Sequence, residues 1–211
     1  MTDVWSERAD AYRSRTEQAE GADLELLASW AAGCETALDV ATGGGHTARR
    51  LREAGLNVTT LDPAPGMGAD VLAPAEEIPF ADCAFDVVVC RIAPHHFPDV
   101  EAAVSEMARV ARRLLLVEDT LFASEEVERA ERLRDPSHVR SYTEDEWRAL
   151  LAGAGVEVEE TFVYEMRHPL DGWLGRTGAS EEDQAEVRRL LESHVVDGAY
   201  VDRKLLLKAR K

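Results

Sequence analysis

The chain has 211 residues, 45% hydrophobic and 31% charged, a composition that suits one ordinary globular unit with a full core. Its formal net charge of −17 excludes nucleic acid as an expected partner, because phosphate neutralisation needs clustered Lys and Arg, and no apolar run approaches the ~20 residues of a membrane span. Cys34, Cys83 and Cys90 stand far apart with no C-x-x-C pattern, so neither a disulfide framework nor a thiolate metal site is expected.

Residues 1–15, rich in charge and carrying Trp5 and Tyr12, are expected to be helical, and they lack the basic and apolar regions of a secretory signal, so the expected compartment is the cytoplasm. Leu24, Leu27, Ala28 and Ala31 recur at helical spacing until Gly33 stops them. A strand is predicted over 36–41, a helix over 46–54 closed by Gly55, and a β-branched strand over 56–61 ended by Asp62-Pro63. Residues 85–92 are the most apolar stretch, fit for the centre of a sheet covered on both faces. A helix over 99–111 follows, with Val100, Val104, Met107 and Val110 along one stripe, then a strand over 114–118. This alternation predicts an α/β fold with a doubly wound, mostly parallel Rossmann-like sheet. Beyond it come helices over 125–134 and 144–152, the second opened by Ser141 or Thr143, and an alternating strand over 156–164. Helical pieces near 171–174 and 180–193 and a short last strand over 204–208 complete a single expected domain, residues 1–211.

The run Leu38-Asp39-Val40-Ala41-Thr42-Gly43-Gly44-Gly45-His46 carries most of the functional information. Glycines at a strand-to-helix turn let backbone approach a ligand, and the helix that follows aims unpaired N–H groups at it. Asp39 beside the turn would repel a pyrophosphate and hold an ammonium group. A zwitterionic amino-acid ligand such as S-adenosylmethionine is therefore favoured over a dinucleotide.

With the strands placed, the chain resembles class I S-adenosylmethionine-dependent methyltransferases, and within them the group that includes ubiquinone/menaquinone-biosynthesis C-methyltransferases. Four stretches carry the likeness. Asp39 to Gly45 resembles the first motif, D-x-G-x-G-x-G, with Ala41 in the first glycine slot. Val58 to Asp62 resembles the second strand and its ribose-binding acid. Ala75 to Phe80 with Phe85 to Val88 resembles the central motif, and Arg91-Ile92-Ala93-Pro94-His95-His96-Phe97 resembles the loop at the active-site mouth.

The resemblance implies S-adenosylmethionine as cofactor and a small, partly apolar molecule as methyl acceptor. It places Asp39, Ala41, Gly43 and Gly45 at the methionine portion, Asp62 at the ribose, and Met67 against the adenine. Arg91 falls in the loop facing the methyl group, and Tyr12 in an N-terminal lid (residues 1–20); residues 120–200 would cover the substrate. The sequence also departs from the family. Only Pro63 to Gly68 separates Asp62 from Val71-Leu72, too little for the usual helix and third strand, since a parallel crossover needs ~10 or more residues. Pro74 replaces the acid often found at the adenine amino group, leaving Glu76 or a backbone carbonyl to substitute.

His95 and His96 follow the central strand at its carboxyl end, where ligands sit in open α/β sheets, and either is a candidate base; the alternative is a structural pair shaping the loop. No metal is expected, because no acidic third ligand stands near them. Two other functions fit parts of the sequence: cofactor binding without methyl transfer, motivated by the shortened middle, and an NAD-linked oxidoreductase, which the lack of a G-x-G-x-x-G run disfavours.

Overall fold

The computed structural model describes residues 4–7, 9–10 and 20–211. Its sheet grows from the central strand predicted above, now Phe85–Arg91, which pairs in parallel with Thr36–Val40 on one side and Ala111–Thr120 on the other. In chain order the strands are β1 (Thr36–Val40), β2 (Asn57–Leu61), β3 (Phe85–Arg91), β4 (Ala111–Thr120), β5 (Glu157–Pro169), β6 (Val195–Val196) and β7 (Ala199–Arg210). The spatial order is β2-β1-β3-β4-β7-β5, with β7 antiparallel to both neighbours and β6 paired to the start of β7. The result is the expected Rossmann-like sheet, parallel in its first half and antiparallel in its second.

The helices are α1 (Val4–Glu7), α2 (Ala22–Trp30), α3 (His46–Glu53), α4 (Val100–Val110), α5 (Glu125–Arg134), α6 (Glu144–Gly153), α7 (Leu170–Gly175) and α8 (Glu181–Leu190). Because strand residues alternate between faces, Leu38, Val40, Val88, Cys90, Leu115 and Val117 enter one apolar layer with Val104 and Met107 of α4 and Trp147 and Leu151 of α6. Ala37, Val87, Val89, Leu114 and Leu116 enter the other, with Leu27 of α2 and Ala48 and Leu51 of α3. Thr143 rather than Ser141 opens α6: its hydroxyl accepts from the Glu146 amide at 3.2 Å while the Glu146 carboxylate accepts from the Thr143 amide at 2.8 Å.

The middle of the chain is as short as the sequence requires. After β2 there is one 3₁₀ turn (Pro65–Met67), and the third strand survives only as a parallel bridge between Leu61 and Val71. The Asp70 carboxylate accepts from the Thr60 amide at 2.9 Å and its hydroxyl at 2.8 Å, which stops the ladder there.

Three strands run past their predicted ends. β4 continues past Glu118 through Asp119 to Thr120, β5 extends to Pro169, and β7 covers Ala199–Arg210 rather than 204–208. Charged residues end a strand when its sequence is read alone, but here tertiary partners neutralise them. Between the long β5 and β7, residues 170–198 make an excursion whose Trp173, Leu174, Val187 and Leu191 pack on Val127 and Ala130 of α5 and on Tyr200. This third apolar cluster builds a helical cap at the carboxyl end of the sheet. No helix among the described residues is long and apolar enough to cross a membrane, and the three cysteines are free thiols.

Candidate active site

The glycine run turns between β1 and α3 with Gly43 at φ 50° and Gly45 at φ 76°, left-handed values that glycine adopts without strain. Ala41, in the slot of the family's first glycine, also sits at φ 54°, so its methyl group is carried at a steric cost of roughly 1 kcal/mol. Gly45 is the N-cap of α3 and has no side chain with which to cap it. Asp39 does this from the neighbouring strand: its Oδ2 accepts from the Ala48 amide at 3.1 Å and from the Thr42 hydroxyl at 2.6 Å. At the tip of β2, Asp62 holds the other side of the turn, accepting from the Gly43 amide and from the Ala64 amide, each at 3.0 Å.

These elements surround a cavity of about 360 Å³, within the ~300–1,000 Å³ common for small-molecule sites. Asp39, Ala41, Gly43, Asp62, Met67, Glu76, Arg91 and His96 of the predicted set all line it. Gly45 does not; Gly44 takes its place in the wall, and Gly45 serves by its backbone conformation alone. Tyr12 lies outside the described residues. Met67 packs against Ala9, Ala64 and Trp5, and the Glu76 carboxylate, at the same end as Pro74 and Ala75, accepts from the Asp99 amide at 3.4 Å.

Burial pushes the Asp39 carboxyl up to about 6, against the pull of the Thr42 hydroxyl, the Ala48 amide and Arg91, and the charge of Asp62 adds to the rise. Two buried carboxylates thus converge on one cavity. The positive charge in its wall is already committed, for the Arg91 guanidinium meets Asp23 of α2 at 2.8 Å and Glu118 of β4 at 3.0 Å. Tyr164 closes that network by donating to Glu118 at 2.7 Å. Arg91 therefore supports the wall through buried ion pairs. The two carboxylate acceptors fit a ligand with an ammonium group and a pair of hydroxyls, which is the chemistry of S-adenosylmethionine.

The two histidines, with ring centres 4.1 Å apart, differ in what they face. His95 faces away from this cavity, its Nδ1 2.5 Å from the Asp119 carboxylate at the end of β4; burial disfavours charge on both groups, pushing His95 down to about 3 and Asp119 up to about 7. His96 lines the cavity, with its Nδ1 3.0 Å from the Ser137 carbonyl and its ring edge-on to Trp5 at 4.7 Å. A carbonyl only accepts, so Nδ1 carries the proton and Nε2 keeps a lone pair. Burial, then the neighbouring His95, pushes His96 down to about 3, so the ring is neutral near pH 7.

Several site residues escaped the sequence reading. Ile92, at φ 51°, is a β-branched residue in left-handed backbone, an outlier of the kind that collects at functional sites. Thr42, within the glycine run, and Asp119, one residue past the predicted strand, carried no assigned role in the sequence. Trp5 and Ser6 bring α1 over the cavity, where the Gly66 amide donates to the Ser6 hydroxyl at 2.8 Å. A Cβ on Gly66 would lie 2.6 Å from Ser6 Cα and 2.9 Å from its carbonyl oxygen. Gly66→Ala is thus expected to push α1 off the site, seen as a red shift of tryptophan emission as Trp5 meets water and as weaker cofactor binding; unchanged emission would show that α1 does not depend on this contact.

A glycine turn between two strand-tip carboxylates, at the carboxyl end of an open α/β sheet, defines a nucleoside-cofactor site of the doubly wound class. The comparisons agree. The model of a family described as a methyltransferase domain matches residues 38–114. Over 209 residues the chain is 32% identical to the uncharacterized methyltransferase YcgJ of Bacillus subtilis (strain 168), covering 87% of this chain and 82% of that protein. Among solved structures, BH2331 of Bacillus halodurans C-125, described as a methyltransferase, superimposes with a TM-score of 0.79 at 32% identity, over 90% of this chain and 99% of that one. The crystal structure of YcgJ gives a TM-score of 0.75 at 26% identity, over 90% and 97%. The chain belongs to the methyltransferase-domain family of class I S-adenosylmethionine-dependent methyltransferases.

Proposed function

We propose that the protein methylates a small, partly apolar molecule with S-adenosylmethionine as donor. The observation that carries this reading is the convergence of buried Asp39 and Asp62 on one cavity beside the glycine turn. In this assignment Gly43 and Gly44 approach the methionine portion, Asp39 faces its ammonium, and Asp62 takes the ribose hydroxyls. Met67 lies against the adenine, with Glu76 replacing the acid that Pro74 has displaced. When bound, the cofactor supplies an electrophilic methyl group on a sulfonium that is already a good leaving group. The chain has then to orient the acceptor, exclude water and receive a proton where the acceptor gives one up. His96 presents Nε2 to an acceptor N–H or O–H; its depressed basicity makes orientation its first role and proton removal the smaller one. The chain's free thiols agree with a cytoplasmic setting for this chemistry.

Calorimetry with S-adenosylmethionine and S-adenosylhomocysteine tests the reading, and absence of binding by both would overturn it. The pH dependence is a finer check. Only ionised Asp39 holds an ammonium, so affinity should fall as pH drops through about 6, by about tenfold per unit below it, and Asp39→Asn should bind weakly with no such slope. The ligand-free fold responds oppositely. A carboxyl raised above its unfolded value favours the folded state at low pH, and that contribution is lost as pH rises through about 6.

A further inference from the structure

A second cavity, of about 70 Å³, lies on the far side of His96 between the sheet and the cap. His96 and Ile92 line both cavities, so the two meet at the neutral imidazole and the strained residue. Ionisable side chains make up most of its wall, a larger share than in the first. Arg176 in its wall is already engaged, and so are the other two cations: Lys204 donates to Asp202 at 2.8 Å and to Thr120 at 2.6 Å. Arg134 gives Nε and an Nη to Glu131 at 3.2 and 2.9 Å, and its guanidinium lies 4.1 Å from the Trp173 ring centre.

What remains over is acceptor capacity. Asp202 is 8% exposed, and among the described residues no donor reaches its Oδ1. Burial opposes its charge, but Lys204 and His168 outweigh burial and hold it ionised, at about 2. A buried carboxylate oxygen without a donor is costly, and an incoming N–H or O–H removes that cost. The lone pair of His96 at the junction asks for the same kind of group. In size the space matches roughly two to five waters, enough for a polar end of a few atoms.

We propose that this second cavity receives the hydrogen-bond-donating end of the methyl acceptor, an amine or hydroxyl group on a compact frame whose less polar part faces the first cavity. This rests on the methyl-transfer reading and narrows it: a carboxylate end is disfavoured, because the cavity's cations already have partners, and so is a purely apolar end.

The test uses the whole protein with its histidine side chains followed by NMR. S-adenosylhomocysteine is added first, then ethanolamine, propane-1,2-diol or acetate in separate titrations. Ethanolamine or propane-1,2-diol is expected to shift the imidazole signals of His96 and His168, and which of them binds more tightly separates amine from hydroxyl; acetate is expected to leave both signals in place. Asp202→Asn should weaken the donor probe by about tenfold or more while S-adenosylhomocysteine affinity stays within about twofold. Thr177→Ile, at the half-buried rim, should fill the space without disturbing a buried charge and abolish the shifts. Tighter binding of acetate, no shift with any probe, or donor binding unchanged in both variants would overturn the proposal. Failure of S-adenosylhomocysteine to bind, read before any probe is added, would overturn the methyl-transfer reading itself.

Discussion

Asp62→Ala is expected to weaken S-adenosylmethionine binding by about a hundredfold or more, the loss of two hydrogen bonds to a charged acceptor. The side chain has two duties, since the same carboxylate secures the Gly43 and Ala64 amides, so a lower melting temperature should accompany the loss. Asp62→Asn separates them: the amide oxygen still accepts from one backbone N–H, while the charge facing the ribose hydroxyls is gone. Calorimetry beside thermal melting of both variants gives the answer, and binding that survives Asp62→Ala unweakened would remove Asp62 from the ribose site.

Arg91→Ala is expected to cost about 3–5 kcal/mol of folding stability, the penalty for leaving buried charges without their partner. Glu118 is 0% exposed and Asp23 5% exposed, and among the described residues only the Tyr164 hydroxyl would still donate to Glu118, at 2.7 Å. Urea unfolding at two pH values adds a sign. Burial already pushes the Glu118 carboxyl up to about 7, and without the guanidinium it rises further, so it binds a proton more readily in the folded state. The penalty should therefore be smaller at pH 5 than at pH 8. A variant that unfolds like the parent but binds cofactor poorly would instead return Arg91 to the role of direct ligand.

Arg91 shows where sequence reading stops. Its place in the loop after the central strand was legible, but its partners lie 68 and 27 positions away, and no local pattern announces a buried ion network spanning α2, β3 and β4. By contrast, the glycine turn, Asp39 and Asp62 are set by local constraints: a strand end, a tight turn and a helix start. They could be read directly, as could the lost third strand, because six residues cannot build a crossover. The strand ends were misread for one physical reason. Asp119 and Asp202, just outside the predicted spans, look like surface charges in sequence, and each is buried through a partner that folding delivers, His95 for the first and Lys204 for the second. The second cavity was invisible on the same account, since its walls come from β4, β5, β7, α5 and the 3₁₀ turn after β3 together with the cap. Of the two histidines, adjacency suggested a shared role. The backbone turn puts His95 at the second cavity alone and His96 at the junction of the two.

The excursion between β5 and β7 has a consequence for how such a protein diversifies. Its apolar cluster is separate from the two layers that hold the sheet, and the cofactor cavity draws no wall residue from it. Residues 170–198 are therefore expected to tolerate exchange for a sequence of similar length that still covers Val127, Ala130 and Tyr200, with the β5–β7 pairing and the glycine turn intact. Grafting the equivalent stretch from a relative is thus a route to a new acceptor range on an unchanged donor site, and selection on this scaffold meets the same separation.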